Sequence, residues 1–303
     1  MKAIYNILLA CTVFCAAACT AQTNSHVIIV MLDGVRYSES FGAKDTLMTH
    51  IWDDLRPQGT IYTNFRNEGP TLTCPGHAAV LTGEWQNIAN DGSQQFPSPT
   101  IFEYYRKQTG MPEQSCAVVS GKPKLLVLTH SSDSIEYGSR YEAAFYVDEP
   151  GKNMATWKKL SAVMTQTHPN AIIVNFPETD LKGHAGKWYE YLAAIHEADS
   201  LVWLLWKQVQ SDSIYRNTTT VFVTNDHGRH DDQHGGFKNH GDSCEGCRHI
   251  MLLALGPQFK AGAQISTEAL QIDIAPTAAE ILGFTMPPVQ GRSLLYSETK
   301  KTR

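Results

Sequence analysis

The sequence predicts an α/β protein: a doubly wound, mostly parallel sheet with helices on both faces. Three observations carry this expectation. Short runs of nearly continuous β-branched and aromatic residues read as strands buried on both faces, the pattern of a parallel sheet. Segments with helical apolar spacing lie between these runs, and such alternation is the signature of doubly wound folds. The chain has 303 residues, of which 42% are hydrophobic and 18% charged, enough for one sizeable core.

The first segment reads as an address. Met1 to Ala21 holds one lysine, no acid and an apolar stretch from Ile7 to Ala18, with small residues before Gln22. That is the layout of a secretory signal, and the run is too short and too broken for a comfortable membrane span. Cys19 after three alanines, or Cys11 after Leu8-Leu9-Ala10, makes a lipoprotein signal the alternative. The expectation is an exported chain, periplasmic or, through the lipid anchor of the lipoprotein alternative, envelope-attached; a retained N-terminal anchor is the remaining reading. No proline- or glycine-rich linker and no repeat interrupts residues 22–303, so these are expected to form a single domain.

Net charge is −5, with Lys and Arg scattered along the chain. This argues against specific binding of duplex nucleic acid, which calls for clustered basic residues. After residue 21 four cysteines remain, at 74, 116, 244 and 247. An oxidising compartment permits disulfides, and four cysteines allow three pairings. Cys244-x-x-Cys247 is expected to close a local disulfide; its other reading is half of a structural zinc site.

Taken in order, the strongest strands are His26 to Leu32, ending at Asp33-Gly34; Ala171 to Phe176, ending near Asp180; and Thr218 to Asn225, ending at Asp226. Further strands are expected at Cys116 to Ser120, Leu125 to Leu128 and His249 to Leu255. Helical spacing marks 100–109, 154–168, 188–210 and 272–282. Trp188, Trp203 and Trp206 are then core residues of a helix. In such sheets ligands bind beyond the carboxyl ends of the strands. Three strand-end aspartates can therefore converge there.

Histidines accompany them. His184 follows Asp180 by four residues, His227 follows Asp226 directly, and His240 stands in Asn239-His240-Gly241. Three carboxylates and three imidazoles suit a pair of Zn2+ ions, with Mn2+ or Fe also served by the same oxygen and nitrogen donors. Two metals a few ångströms apart can clamp the entering and leaving oxygens of an in-line displacement.

The segment from Gly69 to Gly83 reads as a helix start. Thr73 lies near the N-cap, Pro75 fits the first turn, and Gly83 stops the helix. Free N–H groups make such a terminus an anion site. Thr73 either caps the helix or supplies a hydroxyl nucleophile beside a metal.

Together these motifs resemble the alkaline phosphatase superfamily: Asp33-Gly34, the loop Thr73-Cys-Pro-Gly-His77 to Thr82-Gly83, Asp180-x-x-x-His184, Asp226-His227-Gly228 and Asn239-His240-Gly241. The order and spacing are similar to its nucleotide pyrophosphatase/phosphodiesterase and threonine-type alkaline phosphatase branches. Asp273-Ile-Ala-Pro-Thr277 and Gly291-Arg-Ser-Leu294 resemble the closing segment shared with sulfatases. The resemblance implies an alkaline-phosphatase-like fold and a hydrolase acting on a small-molecule phosphate ester. It implies one zinc held by Asp180, His184 and His240 and another by Asp33, Asp226 and His227, with Thr73 as metal-bound nucleophile forming a phosphothreonine.

Sulfatases of the superfamily need a cysteine or serine in C-x-P-x-R. Here that position is Thr73, Cys74 comes one place later and His77 replaces the arginine, so sulfatase chemistry is disfavoured. Ser120-Gly-Lys122-Pro-Lys124 resembles the basic Lys-x-Arg element of threonine-type phosphatases, with lysine in place of the bidentate arginine. Its plain reading is two lysines on a surface turn. Asn90 resembles a phosphate-contacting asparagine, with Asn87 as its rival. These residues favour phosphomonoesters, with a phosphodiesterase on the same machinery as the alternative and a non-catalytic envelope binding protein as the rival of another class. His230 and His234 are expected in a loop, away from the first ring of ligands. Arg36 is expected to reach either a ligand or a neighbouring carboxylate. The sequence leaves the oligomeric state open.

Overall fold

The computed structural model describes residues 25–295; the signal segment lies outside them. The strands are β1 (His26–Leu32), β2 (Gly59–Arg66), β3 (Cys116–Ser120), β4 (Ala144–Tyr146), β5 (Ala171–Phe176), β6 (Thr219–Thr224), β7 (His249–Leu255), β8 (Ala263–Ile265) and β9 (Ala269–Leu270). The helices are α1 (Thr73–Thr82), α2 (Ile101–Thr109), α3 (Asn153–Thr167), α4 (Glu178–His184), α5 (Trp188–Ser211), α6 (Glu245–Arg248) and α7 (Ile274–Leu282). Among the described residues the strands form one sheet in the order β4-β3-β5-β1-β6-β7-β2-β8, with β9 on β2.

The sheet is mostly parallel. β1 pairs in parallel with β5 on one side and β6 on the other, in registers Leu32↔Phe176 and Met31↔Thr224. β3 continues this set beside β5, and β7 runs antiparallel between β6 and β2. All seven residues of β1 are buried, as expected for a central strand covered on both faces. Val27, Ile29 and Met31 face one core layer, shared with Leu81 of α1, Phe102 of α2 and Ile281 of α7. Ile28, Val30 and Leu32 face the other, shared with Leu160 of α3 and Ile195, Val202 and Leu205 of α5. The alternation along one strand thus builds a three-layer α/β/α molecule.

The expected helices form within two residues of their predicted bounds. Trp188, Trp203 and Trp206 pack on the α5 layer of the core, with Trp206 buried and the other two partly so. The strand expected at Leu125 to Leu128 does not form. Pro123 opens a 3-10 helix over Pro123–Thr129 that buries Leu125, Val127 and Leu128. Fixed φ at a first helical position favours the turn over extension. The expected Cys244–Cys247 disulfide is also absent: both are buried free thiols at the two ends of the single turn α6. No helix among the described residues is long and apolar enough to cross a membrane.

Candidate metal centre and cavity

Four neighbouring parallel strands, in the order β3, β5, β1 and β6, deliver the site from their carboxyl ends. Asp33 follows β1, Asp226 and His227 follow β6, and Lys122 follows β3. β5 brings Asn175, and its continuation α4 carries Asp180 and His184 on one face, four residues apart. Gly34 has φ +65°, and a Cβ there would lie 3.0 Å from the Asp180 carboxylate. The chain turns that tightly after β1 only with glycine.

Two contiguous ligand sets result. Asp33, Asp226 and His227, all fully buried, offer donor atoms within 4.8 Å of one another. His227 Nε2 lies 3.3 Å from Asp226 Oδ2 and 4.0 Å from Asp33 Oδ1. In the second set His184 Nε2 is 3.2 Å from Asp180 Oδ1 and 3.1 Å from His240 Nε2, which is itself 3.7 Å from Asp180 Oδ1. The rings of His227 and His240 stack at 3.7 Å and join the sets.

These residues fit divalent cations. Asp33 Oδ1, Asp226 Oδ2, His227 Nε2 and Thr73 Oγ1 are buried without hydrogen-bond partners, a costly state unless a ligand takes them up. His227 Nδ1 donates to the Gly228 carbonyl at 2.8 Å and His240 Nδ1 to the Thr71 carbonyl at 2.8 Å. Both rings therefore turn an Nε2 lone pair toward the neighbouring donor atoms, the usual orientation of a metal-ligating histidine. Burial, with His227 alongside, lowers the His240 pKa to about 3, so its lone pair stays available.

The charge balance of the carboxylates is uneven. Burial pushes Asp33 up, and the charge of Asp226 adds to that effect. Burial also disfavours charge on Asp180, but Lys122, His184 and Arg229 prevail and hold it well below the usual carboxylate range. Lys122 Nζ sits 2.6 Å from Asp180 Oδ2 and 2.9 Å from Asp33 Oδ2. Far from decorating a surface turn, it is a buried cation between the two sets, and the three nearby aspartates raise its pKa against the effect of burial.

Thr73 is the first residue of α1, with Leu72 at the N-cap, and its hydroxyl caps nothing. It opens on a cavity of about 540 Å3 together with Asn90, Lys122, Lys124, Asp180, His184 and His240. Every candidate substrate residue thus meets the second ligand set in one space. Asn90 Oδ1 accepts from the Cys74 amide at 2.9 Å, and Lys124 Nζ donates to the Asn90 carbonyl at 2.8 Å. Asn87 is exposed and does not line the cavity. Cys74 Sγ turns away into the core layer under α1 and contacts the Asn90 carbonyl.

The sequence reading assigned no positioning role to three further residues. Asn175 Nδ2 donates to Asp33 Oδ2 at 2.7 Å, and the signal for it was a lone amide inside the apolar run of β5. His77 Nδ1 donates to the Thr73 carbonyl at 2.8 Å while its Nε2 lies 3.1 Å from Asn175 Nδ2. Arg229, fully buried, holds Asp180 Oδ1 at 2.5 Å and bonds the carbonyls of Phe237 and Lys238. An arginine two residues beyond a strand-end Asp-His pair was its only mark. Arg36 pairs with Glu39 and Asp232 instead of a ligand.

Comparison with known proteins places the chain in a family. The family model described as Metalloenzyme superfamily matches residues 98–286. The chain is similar to arylsulfatase K of Xenopus laevis, 31% identical over 153 residues, covering 48% of this chain and 28% of that protein. It is also similar to the 2,3-bisphosphoglycerate-independent phosphoglycerate mutase of Pyropia yezoensis, 26% identical over 159 residues, covering 50% and 28% respectively. The matches thus span under a third of the length of these relatives. Among solved structures, murine ectonucleotide pyrophosphatase/phosphodiesterase 5 superposes with a TM-score of 0.61 at 15% identity, covering 88% of this chain and 97% of that one. With half its length and more inside the family match, and with two ligand sets at the carboxyl edge of its sheet, the chain belongs to the metalloenzyme superfamily, the alkaline phosphatase-like enzymes that work with divalent metal ions.

Proposed function

We propose that this enzyme hydrolyses small-molecule phosphate esters, monoesters foremost, by transferring the phosphoryl group to Thr73. The observation that carries the reading is Thr73: its hydroxyl is buried without a partner, and the residue lines the same cavity as Asp180, His184 and His240. Asp33, Asp226 and His227 would hold one divalent cation and Asp180, His184 and His240 another. When bound, such ions supply Lewis-acid stabilisation of the entering and leaving oxygens.

The chain's own groups do the positioning. Thr73 Oγ1 forms a bond to phosphorus as the ester P–O bond breaks; the hydroxyl proton passes to solvent, and the leaving alcohol takes a proton from solvent. Water then cleaves the phosphothreonine and frees the threonine. Phosphoryl transfer of this kind asks for alignment and charge more than for a separate base. Lys122 and Lys124 put two ammonium groups at the cavity wall, and a monoester dianion benefits more from them than a diester does. Asn90 is set against the first turn of α1 by its bond to the amide of Cys74, the residue after Thr73.

Cys74, packed into the core, is not placed to serve as a formylglycine precursor, and threonine cannot become one. That supports phosphate over sulfate esters, although the relatives include both kinds of enzyme. Pro123, Pro150 and Leu181 add an apolar wall, which would suit the second substituent of a diester and is the reason to test both. We also propose that the enzyme is exported, on the signal reading of residues 1–21.

The test compares wild type with Thr73→Ala on p-nitrophenyl phosphate, bis-p-nitrophenyl phosphate and p-nitrophenyl sulfate. Monoester turnover is expected to lead, and to fall by roughly a thousandfold or more in the variant, as on loss of a nucleophile, with metal content unchanged. Preference for the diester moves the enzyme to the phosphodiesterase branch. Preference for the sulfate, or full activity of Thr73→Ala, overturns the reading.

A further inference from the structure

Outside the Thr73 cavity lies a further cluster of histidine, carboxylate and cysteine side chains, none of which lines that cavity. His230, Asp242 and Cys247 offer donor atoms within 4.8 Å of one another. His230 Nε2 stands 3.4 Å from Asp242 Oδ2, is buried and has no hydrogen-bond partner. The Cys244 thiol contacts the Cys247 thiol and belongs to an adjoining triad with Asp231 and His234. Both sulfurs are buried and unbonded to each other.

The local backbone is built to bring these groups together. Asp242 Oδ1 accepts the Cys244 amide at 2.9 Å, and the Cys247 amide returns to the Cys244 carbonyl at 3.1 Å, closing the C-x-x-C turn. Between the cysteines, Gly246 lies flat against the backbone of Arg229 and Asp231, where a Cβ would come within 2.6 Å of the Asp231 amide nitrogen. Any side chain at 246 would push the thiols away from His230. From the other side, the His230 amide donates to the Asn239 carbonyl and the Gly228 amide to the Cys247 carbonyl, both at 2.8 Å.

We propose that His230, Asp242, Cys244 and Cys247 form a further metal site, of the thiolate-bearing kind that holds zinc. Two sulfurs at C-x-x-C spacing, one imidazole and one carboxylate are a suitable tetrahedral donor set. Binding forms two metal–sulfur bonds while both thiol protons leave to solvent, with no change of oxidation state. The ion ties α6 to the segment 228–242 and so fixes the loop that presents His227 and His240, together with Arg229, which clamps Asp180. Its role is structural, and it stands independently of the ester-hydrolase reading.

Cobalt substitution tests this directly. The full chain, stripped of metal and reloaded with Co2+, is expected to show thiolate-to-cobalt charge transfer in the near ultraviolet, because the cavity sets contain only oxygen and nitrogen donors. Cys244→Ser/Cys247→Ser is expected to lose that band together with one metal equivalent per chain. His230→Gln, a milder change that keeps both sulfurs, is expected to retain the band and bind the sulfur-bearing ion at least tenfold more weakly. Absence of the band in wild type overturns the proposal, as does its persistence in the double variant. Recovery of a Cys244–Cys247 disulfide from the exported protein by non-reducing peptide mapping also overturns it.

Discussion

At the scale of single residues, Lys122 is the side chain whose placement says most. It bridges Asp33 and Asp180, so it neutralises carboxylates that would otherwise repel one another at close range. It also faces the cavity, where a phosphate ester would need charge. Lys122→Ala is expected to lower kcat/KM for a phosphomonoester about a hundredfold, about 2.7 kcal/mol of transition-state stabilisation. The effect on a diester is expected to be smaller; equal loss on both would count against a role toward the dianion. His26 supplies a pH prediction away from the site. Burial, with His168 nearby, lowers its pKa from 6.5 to about 4. The unfolded chain therefore binds the extra proton more readily, and stability falls as pH drops from about 6.5 towards about 4. Urea midpoints measured across that window should decline in wild type and decline less in His26→Gln.

The candidate ligands nearest the sheet were legible in the sequence because they sit just past strand ends, where the fold class alone says that ligands gather. Asp33, Asp226 and His227 needed only the end of an apolar run, and His184 needed only a helical offset from Asp180. Arg229 and Asn175 were not legible, since their partners lie 49 and 142 residues away. Local spacing carries no information about such contacts. Lys122 was legible as a cation but not as a bridge, because bridging depends on β3 lying beside β5 in the sheet.

At the scale of elements, α2 shows how one carboxylate can join three segments. Thr100 and Glu103 form a capping box at its start. The buried Glu103 carboxylate also accepts from the amides of Ser131 and Gly138 and from the Ser131 hydroxyl, at 2.7–3.0 Å. Glu103→Ala would leave several buried donors unpaired and is expected to cost about 3 kcal/mol or more. Thr100→Ala is expected to cost about 1 kcal/mol. Chemical denaturation of the two variants checks the ranking, and equal small losses would contradict it. The same scale explains the missed strands. β2 was hidden because its polar positions Thr63 and Asn64 coincide with a register shift between Tyr62 and Phe65, which breaks the apolar run. Leu125 to Leu128 looked like a strand because composition reports burial, while the turn was set by Pro123.

At the scale of the whole molecule, four strands and the start of α1 meet at one edge, and the buried charge there is incomplete without cations. Metal should therefore stabilise the folded state by mass action. A free ion at a hundred times its Kd contributes about 2.7 kcal/mol per site. Chelation is expected to lower the melting temperature by several degrees, with recovery on adding zinc; a melting temperature indifferent to chelation of a metal-loaded sample would contradict this. The parallel core and its layers follow from the apolar runs, whereas the antiparallel β7 depends on the turn at α6, which no periodicity announces.

The central claim is that Thr73 accepts the phosphoryl group. The most direct measurement is acid quenching during turnover of p-nitrophenyl phosphate, followed by mass spectrometry of the peptide that carries residue 73. The account predicts a phosphoryl group on Thr73 in wild type and none on that peptide in an inactive Thr73→Ala. Turnover of Thr73→Ala at the wild-type rate, with residue 73 of the quenched wild-type enzyme unmodified, would contradict it.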